Sequence, residues 1–217
     1  MLTVLRGRGT DRKFRLFACA CCRRIWHLLD PAISGSVLDI HPRTLVEVAE
    51  QCADDRADPA ELDACRYGSG TFNGWHPAGQ ACLAARLAVP DDASVAAPSA
   101  AKHAVQAASG RVPEDPDEVP PNDSVSEAAE FAAQAGLVRD IFGNPFRHAA
   151  FDPGWRTEAA VGLARGMYAS RNFGPMPVLA DALADAGCPD PNVLAHCRSG
   201  GSHVRGCWVV DLVLGKG

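Results

Sequence analysis

Apolar side chains recur at helical spacing along most of the N-terminal half. From Asp11 to about Leu29 they fall every three or four positions and form one stripe, which predicts an amphipathic helix. Similar patterns predict helices that begin near Pro42 and Pro59, and another over about 77–88. Proline is well tolerated in the first turn of a helix, which supports two of these starts.

The C-terminal half has the same pattern, divided by proline and glycine. The run 203–214 is rich in valine and fits either a buried helix or a buried strand; we expect a helix, because no partner strand is visible elsewhere. The fold class predicted is therefore all-α, or nearly so. The other helices expected here run over about 124–142, 152–170, 177–187 and 190–198.

Residues 89–123 interrupt these patterns. This segment holds six prolines and several acids, and VPEDPDEVPPNDS is its clearest linker sequence. We therefore predict two packed helical units, 1–88 and 124–217, joined by an acidic, proline-rich linker with a short helix near 99–109.

Composition places the chain among ordinary globular proteins, with 47% hydrophobic and 22% charged residues. No apolar run reaches the roughly 18 residues of a spanning helix, so we expect no membrane contact. The nine cysteines are an odd number at irregular spacing, unlike a disulfide scaffold. We expect reduced thiols and a cytoplasmic protein.

Positive charge is concentrated at the N-terminus. Residues 1–27 carry seven basic side chains against one acid, while the rest of the chain has a net charge of −11. Such asymmetry fits either nucleic-acid binding or docking of the first helix on the acidic remainder, and we favour docking. The nucleic-acid candidates are Arg12, Lys13, Arg15, Arg23 and Arg24.

Soft metal ligands are densest between Cys188 and Cys207. His203 and Cys207 are four apart, so on a helix they would share a face. Zinc takes about four such ligands in a tetrahedron. The most specific candidate set is Cys188, Cys197, His203 and Cys207, with His196 as a substitute ligand. The alternative, which we favour, is that these cysteines pack as small apolar residues.

A second cysteine group, Cys19 and Cys22, has C-x-x-C spacing. Redox pairs of this kind lie at a helix N-terminus, whereas this one falls in the middle of the first predicted helix. We expect core packing.

Four blocks carry a resemblance to a known family. FACACCRRIWHLL (17–29), LVRDIFGNPFR (137–147), PVLADALADAGC (177–188) and HCRSGGSHVRGCWVVDLVLGK (196–216) resemble a family of small uncharacterised proteins of planctomycete-type bacteria. Residues 68–123 do not match it well. Members often begin a few residues before the equivalent of Leu2, so this sequence could start late. The family has no established activity, so the resemblance implies no catalytic residue.

No standard nucleotide, hydrolase or metalloprotease motif is present in the sequence. The function we expect first is a non-catalytic helical module that binds a protein partner. The alternatives are a small metalloprotein with a structural zinc in the C-terminal cysteine and histidine cluster, and nucleic-acid binding by the first helix.

Overall fold

The computed structural model describes residues 2–30, 37–38, 40–68, 70–71, 77–110, 125–146 and 150–216. Within these ranges the regular secondary structure is helical apart from one antiparallel pair of two-residue strands, which confirms the predicted fold class. The chain divides into two compact units, Met1–Ala135 and Gly136–Gly217. The predicted boundary lay earlier, within 89–123.

The first unit is built around α2, which begins at Asp11 after the N-cap Thr10. The Thr10 hydroxyl accepts from the Lys13 backbone N–H, and the apolar face of α2 is fully buried. Helix α2 packs against α3, α5 and α6. The elements of this unit are α1 (Leu2–Leu5), α2 (Asp11–Arg24), a 3₁₀ turn (Trp26–Leu29), β1 (Val37–Leu38), α3 (Pro42–Ala53), α4 (Pro59–Tyr67), β2 (Gly70–Thr71), α5 (Pro77–Arg86) and α6 (Ala93–Ala108).

Helix α6 occupies part of the predicted linker and is longer than the short helix expected there. Its alanines pack closely against α5, and this burial outweighs the hydrogen bond lost at Pro98. The carbonyl of Ser94, four residues before that proline, accepts from Arg6 Nε at 3.4 Å. The linker sequence over 111–123 lies outside the described residues.

The second unit is a small bundle around one apolar core. Helix α7 (Val125–Phe142) spans the division between the units and contributes its last turns to the second. Cys188, Cys197 and Cys207 lie in the core with leucine, valine and alanine side chains. The elements that follow are a 3₁₀ turn (Pro153–Trp155), α8 (Glu158–Ser170), α9 (Met176–Asp185), α10 (Pro191–Arg198) and α11 (Trp208–Leu214).

The C-terminal apolar run is a helix, as predicted, but it begins later. Residues 202–207 are not helical, and the turn at Gly206 has a backbone φ of +91°, which favours glycine. The N-cap of the last helix is Cys207, whose N–H donates to the Val204 carbonyl at 3.0 Å.

Among the described helices, none combines the length and the apolar content that a bilayer crossing requires.

Candidate metal centre

A carboxylate lies in the last turn of α7, among apolar residues. Asp140 is only 4% exposed, and its neighbours Leu137, Val138 and Ile141 are buried as well. A negative charge at a helix C-terminus opposes the helix dipole, and burial removes its hydration. Asp140 therefore needs strong local partners.

Gly143 ends α7 and allows the start of α11 to come close. Its φ of +61° is left-handed, and a Cβ at this position would lie 3.0 Å from Trp208 Cγ. The Trp208 ring in turn packs on the His196 ring, with 5.1 Å between the ring centroids. Glycine at position 143 thus brings the end of α7, the start of α11 and a histidine of α10 together.

His203 and Cys207 converge by a route that differs from the one predicted. They do not share a helix face, because the segment between them forms a turn. Asp140 Oδ2 accepts the Val204 backbone N–H at 3.0 Å, which holds this segment against the end of α7. The turn then brings Cys207 Sγ to 3.9 Å from His203 Nδ1.

Four donor atoms meet at this point: one oxygen of Asp140, Nε2 of His196, Nδ1 of His203 and Sγ of Cys207. All lie within 4.8 Å of one another, and we name these residues the Asp/His/Cys cluster. Asp140 Oδ1 is 2.7 Å from His203 Nδ1 and 3.1 Å from His196 Nε2. His196 Nε2 is 3.3 Å from Cys207 Sγ.

These separations are close to those of a zinc tetrahedron. Zinc bonds of about 2.0–2.3 Å place neighbouring donors roughly 3.3–3.8 Å apart. The two sulfur contacts, at 3.3 and 3.9 Å, are within about 0.1 Å of that range, and the two carboxylate contacts, at 2.7 and 3.1 Å, are shorter than it by less than about 1 Å.

The charges around Asp140 are unusual for a buried carboxylate. Burial alone would raise its pKa, but hydrogen bonds from His196, His203 and the Val204 N–H together lower the pKa below the ordinary 3.8. Within the part of the chain that the structure describes, the ion pairs of Asp140 are with histidines only. His203 Nε2 is buried without a hydrogen-bond partner among the described residues.

The thiols of the second unit differ in their surroundings. Burial and then the charge of Asp140 raise the pKa of Cys207 well above 9.0, so the thiol is neutral near pH 7. Burial raises the pKa of Cys197 to about 12. Cys188 is also buried in the apolar core, at 4% exposure.

The cluster overlaps the predicted quartet only in part. It contains His203, Cys207 and the substitute ligand His196, whereas Cys188 and Cys197 are not members and pack in the core. Sequence reasoning missed Asp140, which lies 56 residues before His196. One signal was available: a single acid within the apolar run of LVRDIF, in the last turn of a helix.

The basic side chains of α2 are engaged within the first unit. Arg23 makes two 3.0 Å hydrogen bonds to the Glu50 carboxylate, and Arg24 is paired with Glu130 at 2.9 Å. These contacts agree with docking of the helix on acidic residues. Of the other candidates, Arg12 is paired with Asp54, Arg15 is buried against the carbonyls of Ala88 and Val89, and Lys13 lies in the first turn.

The C-x-x-C pair lies in the interior of α2. Cys19 and Cys22 are at most 1% exposed, and burial raises the pKa of both thiols well above 9.0. Such thiols are poor nucleophiles, so the pair behaves as core.

Comparisons of this chain with protein-family models, with curated proteins and with solved structures found no match.

Proposed function

We propose that the second unit is a small metalloprotein unit whose fold is stabilised by one zinc ion in the Asp/His/Cys cluster. The observation that carries this proposal is the convergence of four zinc-type donor atoms within 4.8 Å, with Asp140 and Cys207 buried and the two histidines partly buried. Sulfur and imidazole donors favour zinc over magnesium or calcium, which prefer oxygen ligands.

Charge balance supports the same proposal. Two neutral imidazoles, one carboxylate and one thiolate carry two negative charges, which Zn²⁺ neutralises. The ion would supply a positive charge beside Asp140, whose ion-pair partners among the described residues are His196 and His203, and it would convert the Cys207 thiol into a bound thiolate.

The role we propose for the metal is structural. Four protein donors fill a zinc tetrahedron, whereas catalytic zinc keeps one position open for water or substrate. The donors come from the end of α7, from α10 and from the turn before α11, so one ion would cross-link three parts of the unit.

The test is the metal content of the purified, reduced protein, with thermal melts before and after treatment with a strong chelator. We expect about one zinc per chain and a melt that moves to lower temperature on chelation and returns when zinc is restored. A metal-free protein that takes up no added zinc and melts at the same temperature with chelator would contradict the proposal.

The cellular setting and partner follow as further proposals. All nine cysteines, which lie in the described ranges, are free thiols, and free thiols are typical of reducing compartments; we therefore infer the cytoplasm. A structural zinc is compatible with the role that the sequence suggests first, a non-catalytic module that binds a protein partner. That role stays a prediction.

A further inference from the structure

The first unit contains a pocket that is separate from the Asp/His/Cys cluster. It has a volume of about 630 Å³ and lies between the end of α4, the end of α5 and the middle of α6. This volume is within the range of small-molecule sites. Its lining is mostly apolar, with Leu83, Leu87, Val89 and Pro90 among the wall residues.

The polar groups of the pocket carry a positive bias. Arg66, Arg86 and His103 line it together with one acid, Asp91. Arg66 is paired with Asp91 and Asp63, and burial lowers the pKa of His103 below 6.5, so the positive charge left in the pocket is that of Arg86. In the described part of the chain, Arg86 has no carboxylate partner. Its Nη1 donates to the Gly68 carbonyl at 3.0 Å, which fixes the plane of the guanidinium and leaves its other N–H groups for an anion.

One further feature indicates what else a ligand would contact. Tyr67 lies at the pocket with 80% of its surface exposed, which offers an aromatic face.

We propose that this pocket binds a small organic carboxylate with an apolar or aromatic body. The carboxylate would pair with Arg86, and the body would lie against the leucine and valine walls and the Tyr67 ring. The combination of a mostly apolar wall and a few fixed polar groups is characteristic of small-molecule sites.

The test is a titration of the full-length, isotopically labelled protein, monitored by amide chemical shifts. The probe is naphthalene-2-carboxylate, and the uncharged naphthalene-2-carboxamide is its matched control. We expect shifts around Tyr67, Arg86 and His103, with a dissociation constant on the order of 1 mM or tighter. The carboxamide should bind about tenfold more weakly or worse, since it lacks the charge-assisted bonds.

Two variants and one control complete the test. Arg86→Gln should weaken binding of the carboxylate probe about tenfold and leave binding of the carboxamide unchanged. Ser99→Trp should prevent binding of both probes, because the tryptophan fills the pocket from an exposed position on α6. Arg165→Gln, at an exposed arginine of the second unit, should change nothing. Absent shifts, shifts confined to other regions, or equal binding of the two probes would overturn the proposal.

Discussion

Each unit holds buried carboxylates, but their partners differ. In the first unit, Glu50 and Glu130 are at most 5% exposed, and each meets an arginine that is always charged. In the second unit, Asp140 is equally buried and meets two histidines and a cysteine. The negative charge of a carboxylate paired with arginine is balanced without a metal, whereas a carboxylate that faces imidazole and thiol groups is a candidate metal ligand. The partners of a buried carboxylate, more than its burial, indicate whether it is a candidate metal ligand.

The largest effect is expected from Asp140→Asn. This change removes a negative ligand from the cluster and keeps the side-chain shape, so zinc should be lost. A metal present at about 1,000 times its dissociation constant stabilises a fold by about 4 kcal/mol, and the variant should lose roughly that amount. Urea unfolding with and without chelator measures the loss, and the variant itself should not respond to chelator.

The matched control for that variant is Asp185→Asn, at an exposed acid on α9. This variant should keep the zinc content and the free energy of unfolding of the wild-type protein. Full zinc content in Asp140→Asn would show that the carboxylate is not a ligand.

The next effect is expected from Arg23→Met in the first unit. The change leaves Glu50 buried without its guanidinium, which costs about 1–3 kcal/mol because the arginine is itself partly exposed. Zinc content should stay at the wild-type value. The free energy of unfolding and the zinc content are measured on the same sample. A loss of zinc in Arg23→Met would mean that the arginine-paired carboxylates of the first unit also affect metal binding.

A smaller effect is expected from Gly143→Ala. A left-handed alanine costs about 1–2 kcal/mol, and its Cβ would also press on the Trp208 ring. Because Trp208 packs on His196, we expect zinc affinity to fall as well, measured by competition with a zinc-binding dye.

Gly187→Ala is the control for this change. Gly187 is also left-handed, at φ +84°, but a Cβ there would meet no atom within 4 Å. It should lose stability without any change in zinc affinity. Equal affinities in the two variants would mean that Trp208 does not position the cluster.

The smallest effect is expected from Cys22→Ala in α2. The thiol is fully buried, so its removal costs about 1 kcal/mol through lost packing. Zinc content should not change. A drop in zinc content would assign a metal role to the cysteines of the first unit.

Much of the fold could be predicted because local signals define it. Thr10 caps α2, Pro42 and Pro59 lie in first turns, and Gly143 and Gly187 end helices in left-handed conformations. The start of the last helix was missed, because the turn at Gly206 depends on a contact between Val204 and the distant Asp140.

The candidate site could be predicted only where its ligands are close in sequence. His196, His203 and Cys207 fall within twelve residues, so their density made a metal site one of two interpretations, although core packing of the cysteines was favoured. Asp140 joins them through tertiary packing, which spacing cannot reveal. Cys188 and Cys197 lie as close in sequence to these residues, but their side chains pack in the apolar core.

The most direct test of the central claim is a cobalt titration of the metal-free protein, because Co²⁺ replaces zinc and reports its ligands by absorption. We predict saturation at about one cobalt per chain, with a thiolate-to-cobalt charge-transfer band and the intense visible bands of a tetrahedral site. Cys207→Ala should abolish the charge-transfer band, and Cys188→Ala should retain it. A wild-type protein without these bands, or a band that survives in Cys207→Ala and disappears in Cys188→Ala, would contradict the account.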